Sequence, residues 1–181
     1  MSTRVLVAYA THHGATRGIA ERIATTLTRS GIDASARSVT DAGDLAEYDA
    51  FVVGSAIYAF RWLGEAHDFV SRNGKALASR PVWLFSSGPV GTAQVDAKGL
   101  DVRQAPREIA SLSDLVKSRA HRIFFGAYDP TAKPMGMLER ITRAMPATRD
   151  LLPAGDFRDW DEIDAWARAI ADELTLVPVG R

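Results

Sequence analysis

Along the chain, short apolar runs rich in β-branched residues alternate about five times with longer segments in which apolar residues recur every three or four positions. That alternation is the pattern of strands joined by crossover helices, and therefore of a parallel sheet. Arg4 to Tyr9 (RVLVAY) reads as the first strand, and its unbroken apolar run points to burial on both faces. Ala15 to Arg29 places Ile19, Ile23 and Leu27 at spacing four, the stripe of an amphipathic helix, with Gly31 as its C-terminal stop. Ile32 to Val39 alternates in polarity and reads as a second strand nearer an edge. Phe51 to Gly54, Val82 to Phe85 (entered through Pro81) and Arg122 to Ala127 are the third, fourth and fifth strands.

The remaining helices are predicted over Leu63 to Leu77, over Ala105 to Ser118, and from near Asp159 to about Leu174. Asp159 and Glu162 have the spacing of a capping box. Gly88 to Gly99 is a long loop of small residues, and 128–156 is less regular, with a short amphipathic piece at Pro134 to Met145. The expectation is one α/β domain over 1–181, doubly wound around five parallel strands, with an inserted segment at about 128–156. Right-handed crossovers then leave ligands at the carboxyl ends of the strands.

Composition narrows the chemistry. A length of 181 residues suits one domain with a full core. The chain has 22 basic against 22 acidic residues, so no field draws it toward nucleic acid, and no nucleic-acid partner is expected. There is no cysteine, which excludes disulfides, thiolate nucleophiles, zinc–thiolate sites and iron–sulfur clusters. Redox chemistry would have to come from a bound cofactor. No charged leader with a following apolar stretch opens the chain, and no run approaches the roughly 18 to 20 apolar residues that span a bilayer. A cytoplasmic location is the resulting expectation.

The candidate chemistry lies in ATHHGATRGIA, residues 10–20. Thr11 to Thr16 falls where the first strand ends and the first helix begins, where free N–H groups and the helix dipole favour an anion such as a phosphate. Gly14 lets the backbone approach closely, and the hydroxyls of Thr11 and Thr16 add donors. The stretch lacks the Gly-Lys-Ser/Thr of a P-loop and the G-x-G-x-x-G of a dinucleotide fold, which argues against ATP and NAD. His12 and His13 are adjacent, and adjacent residues rarely converge on one ion, so no metal is expected and they read as phosphate neighbours or solvated side chains. His67 and His121 read as helix and loop surface. No G-x-S-x-G elbow supports a hydrolase triad.

Tyr9 to Thr16, with Ala20 four positions on, resembles the phosphate-binding signature of the flavodoxins from Val7 to Ile23, departing from it at Ala8, where a larger apolar residue is usual. Gly54-Ser55-Ala56-Ile57-Tyr58 and Ser86-Ser87-Gly88-Pro89-Val90-Gly91 fall where that family places its second and third flavin loops. The resemblance implies a three-layer α/β/α fold with strand order 2-1-3-4-5 and FMN as cofactor. Thr11, His12, His13, Gly14, Ala15 and Thr16 would then meet the phosphate. Backbone groups of Ser55, Ala56, Ile57 and Tyr58, and of Ser87, Gly88, Pro89, Val90 and Gly91, would line the isoalloxazine ring. Tyr58 or Trp62 would either stack on that ring or merely pack the loop. The chemistry would reside on the flavin, without a dedicated catalytic residue.

The segment after RIFFGAYDP, followed by Gly155 to Trp160 and a closing helix, is similar to the branch of flavodoxin-like proteins containing menaquinone-dependent protoporphyrinogen oxidase. That likeness implies an FMN-dependent oxidoreductase passing electrons from a reduced small molecule, with protoporphyrinogen IX one candidate, to a quinone or other acceptor. The alternative is a flavodoxin-type electron carrier acting with protein partners, although carriers are usually strongly acidic and this chain has zero formal net charge. A flavin-free binding module is a third reading. In Lys133 to Arg149, Met135, Met137, Leu138, Ile141 and Met145 accompany Lys133, Arg140, Arg143 and Arg149. Such a piece either packs on the core or lies on the inner face of a membrane to meet a lipid quinone. Asp156, Arg158 and Asp159 read as a local salt bridge and helix cap.

Overall fold

The computed structural model describes residues 2–91, 102–133 and 153–176. Its elements run β1 (Arg4–Ala10), α1 (Ala15–Arg29), β2 (Asp33–Ser38), β3 (Ala50–Tyr58), β4 (Arg61–Trp62), α2 (Gly64–Ala78), β5 (Val82–Ser87), α3 (Ile109–Val116), β6 (Ala120–Phe124), β7 (Ala127–Tyr128), β8 (Gly155–Asp156) and α4 (Trp160–Leu176). The long strands pair in parallel in the order β2-β1-β3-β5-β6, with the short β4 returning antiparallel on β3. Counting only the five long strands, this is the expected 2-1-3-4-5 order.

The unbroken apolar run of β1 is explained by what covers each face. Val5 and Val7 point into a core made with α1 and α4, through Ile19, Ile23, Leu27, Trp166 and Ile170. Leu6, Ala8 and Ala10 point into a second core made with α2 and α3, through Phe69, Val70, Leu77 and Leu112. Two cores on opposite faces of one sheet make three layers. The spacing-four stripe of α1 is fully buried, and each such side chain contributes roughly 1.5–3 kcal/mol. Its C-terminus closes with paired backbone bonds from Ile32 N–H to Leu27 and from Gly31 N–H to Thr28, the Schellman arrangement.

Helix α4 is tied to α1 by charge as well as by packing. Arg22 donates twice to Asp164, at 2.7 and 2.6 Å, and the Thr26 hydroxyl adds a third bond at 2.7 Å. Those donors, led by the Arg22 guanidinium, hold the Asp164 carboxyl down to about 2.

Several boundaries differ from the sequence expectation, each for a visible reason. β3 does not stop at Gly54 but continues to Tyr58, because Ser55 and Ala56 pair with Ser86 and Ser87 of β5 and Ile57 then pairs with Trp62. The fifth parallel strand covers Ala120–Phe124 rather than 122–127. The Gly126 N–H turns to the Pro89 carbonyl, and Ala127–Tyr128 pairs instead with Gly155–Asp156. Helix α3 is shorter than expected; it begins with a turn from Ile109 N–H to the Pro106 carbonyl and stops at Lys117, whose φ is 52°. The amphipathic piece at Pro134 to Met145 lies outside the described residues. Among the described residues, no helix is long and apolar enough to cross a membrane.

Candidate functional site

The turn from β1 into α1 is shaped by Gly14, whose φ is +85°. A Cβ there would meet nothing within 4 Å, so the backbone and not the available space requires glycine, a residue free of the ~1–2 kcal/mol left-handed penalty. The Gly14 N–H donates to Thr11 Oγ1 at 3.0 Å, which leaves the Thr11 O–H to donate elsewhere. The first N–H groups of a helix have no acceptor inside it. No side chain caps α1, and no acidic residue occupies its first turn.

Two buried polar atoms point to what belongs there. Thr16 is fully buried and its hydroxyl has no hydrogen-bond partner among the described residues, and the same holds for His12 Nδ1. Leaving such a group unsatisfied costs about 1–3 kcal/mol, and the Thr16 O–H, a buried donor at a bare helix N-terminus, suits an anion rich in acceptor oxygens. A phosphate monoester fits that donor set.

The second stretch is strand, where the sequence implied a loop, and its side chains divide. Ser55 faces inward: its hydroxyl donates to the Ala56 carbonyl at 2.9 Å and accepts the Leu63 N–H at 3.0 Å. Tyr58 is 40% exposed, and its ring lies 5.0 Å from that of His12, tilted by 44°. Trp62 is buried and its Nε1–H donates to Ser86 Oγ at 2.8 Å. Of the two aromatic candidates for a flavin contact, Trp62 therefore belongs to the core and Tyr58 to the surface of the site.

The third stretch lies alongside the second. Ser87 pairs with Ala56, a Cβ on Gly88 would come within 3.0 Å of Ile57 Cδ1, and Gly88 and Pro89 are bonded to the β6 end through Phe124 and Gly126. Val90 and Gly91 follow, half-buried, with Gly91 at φ +119°. The three stretches thus meet at the carboxyl ends of β1, β3 and β5.

His121 departs from the surface reading. It sits on β6, half-buried, with Nε2 2.8 Å from Ser86 Oγ, and burial pushes its imidazole down to about 4. It is neutral near pH 7, and Ser86 Oγ links it to Trp62, accepting the Trp62 Nε1–H and sharing a hydrogen bond with His121 Nε2.

Beside α1, Arg158 makes a two-pronged pair with Asp156 (2.7 and 2.6 Å), donates to the Ala15 carbonyl at 3.2 Å and stacks 4.4 Å above Trp160. The Asp156 carboxyl is lowered by that guanidinium. Asp159 caps α4 by accepting the Asp161 and Glu162 N–H groups, both at 3.0 Å. Glu162 does not complete the capping box; it faces Arg103 and Arg122. The salt-bridge-and-cap reading therefore holds. Between Gly14–Ala15 and the β7–β8 pair opens a cleft of about 600 Å³, walled by Tyr128, Pro130 and Arg158. No cluster of three or more His, Cys, Asp or Glu that could hold a metal occurs among the described residues.

Sequence reasoning overlooked two neighbours of this site. Phe60, 54% exposed, tips the β3–β4 hairpin, and Glu108 reaches that hairpin from the segment entering α3. Their importance depends on a turn conformation and a contact 46 residues away in sequence, neither of which leaves a local signal.

A family model described as a flavodoxin domain matches residues 6–144. No curated protein sequence matches the chain. Among solved structures, an archaeal flavodoxin is 17% identical with a TM-score of 0.59, covering 96% of this chain and 99% of its own. Oxidised flavodoxin 2 from Bacillus cereus is 19% identical at the same TM-score, with 94% and 99% covered. The rubredoxin oxygen:oxidoreductase of Desulfovibrio gigas is 12% identical with a TM-score of 0.57; 96% of this chain is covered, but only 36% of that one.

Proposed function

The chain belongs to the flavodoxin family, and from that premise we propose that it works as a flavodoxin-type electron-transfer protein whose phosphate cradle is the β1–α1 turn. FMN is its cofactor, and when bound it supplies transfer of one or two electrons, chemistry no side chain of this cysteine-free chain offers. The observation that carries the placement is the buried, unpartnered Thr16 hydroxyl at the uncapped N-terminus of α1. Thr11, Thr16 and the first N–H groups of α1 bind the phosphate, and Gly14 keeps the turn open to it. Tyr58 offers an aromatic face to the ring, and Gly88 and Pro89 bound it on the β5 side.

A second reading, direct oxidation of a small reduced substrate with a quinone as acceptor, draws on two features. Zero net charge gives little long-range steering toward a protein partner, and the cleft beside the cradle has room for a small molecule. Nothing among the described residues singles out a porphyrinogen, and nearly all of the segment at 133–149 proposed to meet a membrane lies outside them. One experiment separates the readings. After FMN titration, the anaerobically reduced protein is mixed with a soluble menaquinone analogue and, separately, with a one-electron haem protein. Faster reoxidation by the haem protein supports the carrier; faster reoxidation by the quinone supports the enzyme.

A further inference from the structure

The β3–β4 hairpin turns through only two residues, Ala59 and Phe60, with φ of 49° and 60°, between the paired Tyr58 and Arg61. Left-handed φ at both central positions marks the type I′ turn, which favours Asn-Gly; Ala and Phe each place a Cβ against it. A turn strained in this way persists only where its surroundings hold it.

Here the holding groups come from the segment entering α3. The Arg107 N–H donates to the Phe60 carbonyl at 3.0 Å, and Glu108 Oε1 accepts the Trp62 N–H at 2.6 Å. Glu108 is mostly buried, and its Oε2 makes no hydrogen bond among the described residues, lying instead 3.8 Å from Arg61 Nε. Trp62 is pinned from its other end by Ser86. The same hairpin carries Tyr58, whose ring packs on His12 of the phosphate turn.

We propose that Glu108 is a positioning residue of the cofactor site: by holding the Trp62 N–H it keeps the Ala59–Phe60 turn closed and Tyr58 against His12, ready for the flavin ring. This rests on the reading that the second stretch faces the ring. The brace substitutes for the Asn-Gly sequence that would hold the turn unaided. It follows that Glu108 matters only while the turn is strained.

The test is a double-mutant cycle. Glu108→Ala and Glu108→Gln are made in the native turn and in a turn carrying Ala59→Asn with Phe60→Gly. FMN affinity is read by fluorescence quenching, and amide exchange of residues 59–61 is read in the apoprotein. In the native turn, Glu108→Ala is expected to weaken FMN binding about tenfold and to speed exchange, while Glu108→Gln, which keeps an acceptor, restores most of both. In the Asn-Gly turn the loss should fall below about twofold.

Equal losses in both turns would overturn the proposal, as would failure of Glu108→Ala to fold even in the Asn-Gly turn, since either makes Glu108 a general structural residue. Unchanged exchange in Glu108→Ala would overturn the brace and leave the placement of the flavin standing. Faster exchange with unchanged FMN affinity would overturn both the proposal and the placement of the ring at this hairpin.

Discussion

At the scale of single residues, the cradle separates side chains that bind from those that permit binding. Gly14→Asp adds a Cβ at φ +85° and a carboxylate where a phosphate is drawn in, so FMN binding should be abolished while far-UV circular dichroism stays near wild type. Thr16→Val replaces a buried, unpartnered hydroxyl with a methyl of similar size. The apoprotein should be equally or slightly more stable in urea, and FMN affinity should drop roughly tenfold, about one hydrogen bond to a charged group. A variant that lost stability and kept its affinity would place the hydroxyl in the core. The turn itself was readable in the sequence, because a glycine between a strand and a helix marks a backbone position open to left-handed φ, which Gly14 adopts. His121 was not. Its partner Ser86 is 35 residues away, and nothing local in AHRIF tells a histidine facing a neighbouring strand from one facing water.

At the scale of elements, periodicity located the helices, and pairing set the strand ends. A strand ends where its neighbours end, so Ser55 to Tyr58, which look like loop by composition, remain strand beside β5 and β4. The same pairing explains Gly54, where a Cβ would overlap the Phe85 ring of the adjacent strand. Gly54→Ala should therefore destabilise the protein by about 1–3 kcal/mol in urea unfolding, the usual cost of overpacking. The α1–α4 tie carries a pH signature. Because the Asp164 carboxyl sits at about 2, below its unfolded value near 4, its contribution is complete above pH 4 and fades as the pH falls toward 2. Thermal melts of Asp164→Asn should be lower than wild type at pH 7, with the difference shrinking between pH 4 and pH 2.

At the scale of the molecule, the alternation of strand and helix patterns was enough to predict a doubly wound sheet, and the flavodoxin resemblance supplied its strand order. They could not show that the β7–β8 pair walls a cleft beside α1, because that pair joins residues 27 and 29 positions apart through two strands of two residues each. A cradle whose buried Thr16 hydroxyl finds no partner among the described residues also implies a link between loading and stability. At FMN a hundredfold above its dissociation constant, unfolding should require about 2.7 kcal/mol more than in the apoprotein, read as a rise in melting temperature. Gly14→Asp should show no such rise.

The packing of α4 against α1, and of its Trp166 on Phe85 of β5 and Phe124 of β6, also has a bearing on how the protein is made. Both strands precede α4 in the chain, so they leave the ribosome before the helix that covers their aromatic side chains. A nascent chain lacking residues 160–176 leaves that face bare, and during translation it is where chaperones, or another unfinished copy, would bind first.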